Sequence, residues 1–502
     1  MSDQRFRALA FAAAFSVVAV SLPAQAPSPA AAPKPALTYY GSVRVRYEGW
    51  NWFDPGAAAP PGANNNSYGY AAGLLKAGLR YDSRRWFDAT VELQNTTLLG
   101  LPDDAKGPAP IGEMGGGASH FSPHQKSNDT RVFLNQGFVT FKQPGHGATF
   151  VRAGRFDYMD GTEATTTDPT IEWIRRARVS GRLIANFGFS QVQRTFDGAS
   201  AALDGTRSNL TLFAAHPRQG GFELDGWKDM TEVDIAAATL TLKPALLGGN
   251  GEARLFVMYY GDRRNPADSV FKVDNRPTAV RNADSASISM PMIGGHYIRH
   301  GALGQGQWDA MLWGVYQGGS WGGLDHRAWA MAAEGGYQFS AVGWKPWVRL
   351  GYNRSSGDDN AADGTHATFF QALTTVRPFA QFPFFNLMNN EDLFVQLLLR
   401  PIPGKLLVRT DVHSIRLAEK NDLWYGGSGA YQRRGSFGFG GRPSNGETSL
   451  ATLADLSVDW TVRPWWSVYG YLGHAWGSKV VRAIYAGDTA TLAYLEMTLR
   501  RP

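Results

Sequence analysis

The sequence predicts an all-β fold, a transmembrane antiparallel β-barrel of about 18 strands with short periplasmic turns and long extracellular loops. Three observations predict it: side chains alternate in polarity with period two, connections run short then long, and no apolar run is long enough for a membrane-crossing helix.

The helix argument starts at the N-terminus. Arg5 and Arg7 precede an apolar run from Ala8 to Leu22 that gives way to small residues and proline, the pattern of a secretory signal peptide. Cleavage after Ala24, Ala26 or Ala30 fits the small residues, so residues 1–30 are read as the signal, 31–37 as a Pro/Ala-rich tether, and 38–502 as the barrel. Beyond the signal, no window approaches the ~20 apolar residues that a spanning helix needs. A chain of 502 residues with 58 Gly and no Cys is exported without disulfides. Its formal charge is +6, and removing Asp3, Arg5 and Arg7 with the signal leaves +5. So mild an excess excludes a nucleic-acid binder but matters if the basic groups face a pore.

Alternation is the mark of a strand with unlike faces. Val43, Val45 and Tyr47 alternate with Arg44, Arg46 and Glu48, and Leu75, Ala77, Leu79 and Tyr81 alternate with Lys76 and Arg80. Phe87, Ala89, Val91 and Leu93 are set against Asp88, Thr90, Glu92 and Gln94; near the C-terminus Leu456, Val458, Trp460 and Val462 are set against Asp455, Ser457, Asp459, Thr461 and Arg463. The predicted strands are 38–50, 68–81, 86–99, 131–142, 148–158, 186–196, 207–217, 231–243, 252–262, 293–300, 306–318, 327–339, 344–355, 392–400, 405–417, 448–462, 465–477 and 489–500.

A soluble sandwich also alternates, so the rhythm of the connections discriminates. Tight links at Asp82 to Arg85, Gln143 to Gly147, Gly301 to Gln305, Ser340 to Gly343, Pro401 to Gly404 and Arg463-Pro464 separate long polar segments such as 100–130, 159–185, 263–292, 356–391 and 418–447. An even strand number with this asymmetry is the outer-membrane pattern. Tyr39, Tyr40, Trp50, Trp86, Phe87, Trp344, Trp347, Trp465 and Trp466 stand near strand ends, where interfacial girdles are expected. Backbone groups in lipid must all be paired, and a closed sheet pairs them without an edge. The expected location is the outer membrane of a Gram-negative-type cell, in contact with its lipid and lipopolysaccharide.

What crosses such a barrel is decided by its inner face. The parity above turns Arg44, Arg46, Lys76 and Arg80 inward, and similar reasoning places Arg254, Arg349 and Arg409 there, with Glu48, Asp88, Glu92 and Asp411 on the same face. Singly, each arginine fits a neutralising lattice; collectively, rings of Arg and Lys attract anions. Segment 356–391, with Asp358, Asp359 and Asp363 before a Phe/Pro-rich run, is either an inward gate or a solvated loop. Those aspartates lack the spacing of a calcium loop, and His120 and His124 lack further metal ligands, so no metal or other cofactor is assigned.

Four short motifs carry a resemblance: Gly154-Arg155-Phe156, Arg194-Thr195-Phe196-Asp197-Gly198, Ser355-Ser356-Gly357-Asp358-Asp359, and Asp422-Leu423-Trp424-Tyr425 after Val408 to Leu417. In order and spacing the sequence resembles the alginate export (AlgE-like) family over most of residues 38–500, although that family's Gly-Arg-Gln reads Gly-Arg-Phe here. The resemblance implies an eighteen-stranded barrel with an electropositive constriction passing an anionic polysaccharide. It adds Arg155 and Arg194 as lumen residues, and it implies a monomer, with periplasmic export partners as possible company.

The competing readings are a general or small-anion porin, an outer-membrane enzyme, and an adhesin or structural barrel with a sealed lumen. His413-Ser414 with Asp411 supplies hydrolase residue types, but neighbours on a strand point to opposite faces, and no glycine-flanked serine elbow exists. No catalytic residue is assigned.

Overall fold

The computed structural model describes residues 35–143, 149–265, 272–375, 379–382, 386–426 and 440–501. The expected signal peptide lies outside them. Strand β1 begins at Ala36, so the last two residues of the expected tether already belong to the wall.

The wall is made of β1 (Ala36–Asn51), β2 (Ser67–Asp82), β3 (Phe87–Leu99), β4 (Asn128–Lys142), β5 (Phe150–Phe156), β6 (Phe196–Asp204), β7 (Ser208–Pro217), β8 (Val233–Leu242), β9 (Gly251–Asp262), β10 (Ile288–Leu303), β11 (Gly306–Gln317), β12 (Ala328–Gln338), β13 (Trp347–Ser355), β14 (Glu391–Ile402), β15 (Leu406–Arg416), β16 (Ser449–Arg463), β17 (Trp466–Gly477) and β18 (Thr489–Arg501). Each pairs antiparallel with its sequence neighbours, and β1 pairs with both β2 and β18, from Gly41↔Arg501 to Asn51↔Thr491. That last ladder closes the 18-stranded cylinder and removes the free edge that lipid would not tolerate. Among the described residues no helix is long and apolar enough to cross a membrane.

The two faces differ as the alternation requires. Val43, Val45, Leu75, Leu79, Val91, Leu255, Leu350 and Leu495 are exposed on the outside, whereas Arg46, Glu48, Glu92, Arg254, Arg349 and Asp411 are buried on the inside. Tyr39, Trp86, Trp344 and Trp465 stand exposed at the short-turn end and Tyr47, Tyr316, Trp329 and Trp476 at the other, forming the two aromatic girdles. Trp50 and Trp347 correct that expectation: they fall on the inward parity, and both are buried. The tight turns at Gly304 and Gly404 take φ of 56° and 72°, a left-handed conformation that glycine adopts at no steric cost.

The sixth strand is also corrected. The expected strand is 186–196, but residues 186–195 belong instead to an inward loop containing Phe187 and Gln193 at positive φ, and the strand runs Phe196–Asp204. Its sequence, FDGASAALD, is small and weakly β-forming, while the preceding Phe187 and Phe189, set against Gly188 and Ser190, mimic strand alternation.

Candidate functional site

Two long loops fold inward and meet in the lumen. The first, 157–195, is an arginine loop built on α1 (Pro169–Ile174), which Asp168 caps by accepting from the amides of Thr170 and Ile171. The helix continues through a wider turn, Arg175–Val179. Ile171, Ile174, Val179, Leu183 and Ile184 are buried. The second loop lies in the segment 356–391 weighed as gate or outer loop, and its described residues turn inward: Phe369, Phe370, Leu373, Phe379 and Phe382 are all buried. Main-chain bonds join the two, Leu373 N to Leu183 O, Ala185 N to Leu373 O and Thr375 N to Gly181 O, each 2.9 Å. These main-chain carbonyls and amides are thereby paired within the protein.

Ion pairs moor the arginine loop to the wall. Arg178 donates from Nε and Nη2 to the two carboxylate oxygens of Glu334 on β12, at 2.7 and 2.9 Å, and both side chains are fully buried. Arg182 and Arg349 also reach Glu334, at 3.4 and 3.3 Å, so one carboxylate is shared by three guanidiniums. Asp309 is the second carboxylate on Arg349. Arg175 pairs with Glu252 at 3.2 Å, and Glu163 accepts from Arg254 at 2.7 Å. Burial alone would raise the Glu163 carboxyl, but Arg254 and the Tyr158 hydroxyl more than offset this and hold it below its ordinary value. The neighbouring Asp160, 3.9 Å from Arg254, is pushed by burial up to about 6.

The wall residues read as inward-facing are each held by polar partners. Arg44 donates to the carbonyls of Gly188 and Ser190 at 2.9 and 2.7 Å and to Gln191 at 2.9 Å, all on the arginine loop. Arg46 pairs with Glu48 at 3.0 Å and Glu496 at 2.6 Å. Lys76 lies 3.5 Å from Glu92, Arg80 2.8 Å from Asp88, and Arg409 donates to Asp411 at 2.7 Å. Most lumen arginines are thus balanced by a carboxylate, but around Glu334 and Asp309 three guanidiniums face two carboxylates.

Arg155 is a correction. Its cross-strand partner is Asp197, to which it donates at 2.8 and 3.1 Å; the adjacent pair on the opposite face, Phe156 and Phe196, is the one that packs inside. Arg155 therefore stands on the outer parity, where it also donates to Leu134 O at 3.0 Å. The β4–β5 ladder extends only from Gly137↔Arg155 to Lys142↔Phe150, so the upper half of β4 rises above its neighbour. Arg155 and the Trp227 indole, which donates to Val132 O at 2.8 Å, cap that stretch. Arg194 does reach the interior, but from the loop, donating to Leu373 O at 3.0 Å.

Sequence reasoning missed Arg175, Arg178 and Arg182. The run Arg175-Arg176-Ala177-Arg178 in a long inter-strand segment was the available signal, hidden because period-two reasoning assigns faces only to strands. Asp358 and Asp363 accept from the amides of Asn360 and Thr365, shaping turns. His120 and His124 dock on residues 222–224 of another loop. His413 is buried inside and Ser414 exposed outside, as their parity demands.

This architecture has known relatives. The family model described as alginate export matches residues 87–476. The chain belongs to the alginate export family. Its fold is shared with solved outer-membrane porins at low identity: OccAB1 of Acinetobacter baumannii has a TM-score of 0.54 at 11% identity, covering 92% of this chain and 96% of that one. A BenF-like porin from Pseudomonas fluorescens gives 0.53 at 9% identity over 93% and 98% of the two chains. OpdK of Pseudomonas aeruginosa, solved with vanillate, gives 0.50 at 10% identity over 92% and 98%. No curated protein matches in sequence. An alginate export family member with this fold is an outer-membrane pore of Gram-negative cells.

Proposed function

We propose that this pore exports an anionic polysaccharide, an alginate-like polyuronate, by passive passage through the lumen that the two inward loops narrow. The observation that carries the reading is the shared carboxylate: Arg178, Arg182 and Arg349 converge on Glu334, with Asp309 as the only other acid paired in that group among the described residues. Membership of the alginate export family supports the choice of a polyuronate.

A polyuronate carries a carboxylate on each sugar. A guanidinium offers it a planar fork equivalent to the one Glu334 occupies, so a carboxylate of the passing chain takes the resident one's place where the loop shifts and opens the buried group. Several such exchanging contacts permit movement, whereas one tight unshared site would trap the chain. Wall arginines such as Arg44, bonded chiefly to loop carbonyls, extend the same recognition along the path once the loop shifts.

The test is planar-bilayer conductance of the purified protein. Anion preference and block by short oligouronates, without block by neutral oligosaccharides, are the expected results. Cation preference overturns the reading. Block by small aromatic carboxylates but not by oligouronates replaces it with a small-anion porin.

A further inference from the structure

A second cluster on the lumen wall is built differently from the arginine group. Asp411 on β15 and Asp455 on β16 are direct cross-strand partners on the inner face, and both are buried, 1% and 4% exposed. Like charges placed opposite one another repel, and burial removes the water that would screen them. His413 follows Asp411 on the same face, and the ligand atoms of Asp411, His413 and Asp455 all lie within 4.8 Å of one another.

The surroundings hold these ligands in place. Asp392 on β14 accepts from the His413 Nδ1 at 3.0 and 3.1 Å, which turns Nε2 toward Asp411 Oδ2, 4.0 Å away. A carboxylate behind the far ring nitrogen is how metal-binding histidines are oriented. Asp455 is fixed by the Tyr471 hydroxyl and by the main-chain amide of Gln381, at 3.2 Å. Asp411 Oδ1 is buried and has no hydrogen-bond partner, while Oδ2 is taken by Arg409. Three carboxylates, Asp392, Asp411 and Asp455, thus meet one bonded guanidinium, Arg409.

We propose that Asp411, His413 and Asp455 bind a divalent transition-metal cation on the lumen wall. Two positive charges offset the carboxylate excess, and the orphaned Asp411 oxygen gains a partner. One imidazole with two carboxylates suits Zn²⁺ or Mn²⁺; Ca²⁺ takes all-oxygen sets. Because Asp455 also holds Gln381 of the inward 356–390 loop, the cation ties the wall to the loop.

The experiment uses the full mature barrel in detergent, stripped with chelator and dialysed. Calorimetric titration with ZnCl₂ and MnCl₂ is expected to give about one equivalent bound, and the Mn²⁺ form is expected to show nitrogen coupling in pulsed electron paramagnetic resonance. Asp411→Asn and His413→Gln are expected to abolish the site, and Asp392→Asn to weaken it about 10- to 100-fold. Heat-modified migration establishes that each variant is folded. No stoichiometric uptake by the wild type, Mn²⁺ bound without nitrogen coupling, or folded Asp411→Asn binding as tightly as wild type overturns the proposal. If Asp411→Asn does not fold, the nitrogen signal and the Asp392→Asn affinity decide it.

Discussion

Arg178 and Glu334 grip one another through two parallel hydrogen bonds, 2.7 and 2.9 Å, inside the barrel and out of reach of water. One belongs to the inward loop and the other to the wall, so this pair is the principal mooring of the constriction. Removing one partner of a buried pair costs about 3–5 kcal/mol, because the remaining charge is stranded. Glu334→Gln takes the shared carboxylate from three guanidiniums at once, and Arg349 keeps Asp309. The expected outcome in planar bilayers is larger single-channel current, noisier gating and stronger anion preference, with a lower midpoint in heat-modified migration. Unchanged current and selectivity would show that the loop is held elsewhere.

The barrel wall was legible in the sequence because lipid and water impose opposite demands on alternate residues: Val43 and Arg44 can trade places only by reversing a whole strand. The inward loops were not. Phe187 and Phe189 look like lipid-facing residues, yet they pack inside the pore against Phe222 and Tyr494. An apolar side chain records that it avoids water and not which dry surface it meets. Likewise the resemblance put Arg155 in the lumen, whereas its pairing with Asp197, beside the buried pair Phe156 and Phe196, sets it on the same outer parity as Val151.

The main-chain ladder between the loops predicts that they move as one body. Ile184 and Leu373 form a parallel bridge, and the chain has no cysteine to confuse an engineered disulfide. Ile184→Cys with Leu373→Cys is expected to cross-link on oxidation and to reduce current fluctuations, with reduction restoring them. Failure to cross-link under oxidant would mean that the loops part company in the membrane.

Arg155 was expected in the lumen, and its actual place changes the expectation for its substitution. It pairs with Asp197 and caps Leu134 O where β4 outreaches β5. Loss of charge-assisted bonds of this kind costs about 1.5–3 kcal/mol. Arg155→Ala is expected to lower the heat-modification midpoint while leaving oligouronate block as in wild type. Weakened block with unaltered stability would return Arg155 to the conduction path.

Acid sensitivity is expected where the 318–327 connection meets the second inward loop: His326 and His366 face each other Nδ1 to Nδ1 at 2.9 Å and Trp321 stacks on His366 at 4.3 Å. Burial pushes His326 down to about 4; His366, buried and beside His326 and Arg276, lies well below its ordinary value. Between pH 6.5 and 4 the unfolded imidazoles therefore take protons that the folded ones refuse. Stability from this pair is fully present above that window and is lost as pH falls through it. Asp422 and Asp358, raised by burial, the former to about 6, act in the opposite sense, since their folded carboxyls accept protons before unfolded ones do. The histidine contribution is isolated by His366→Phe, which keeps a ring against Trp321 and leaves the carboxyls in place. The variant is expected to match wild type in limited proteolysis at pH 7.5 and to resist cleavage better at pH 4.5. Equal cleavage of the two proteins at pH 4.5 would assign the acid response to other groups.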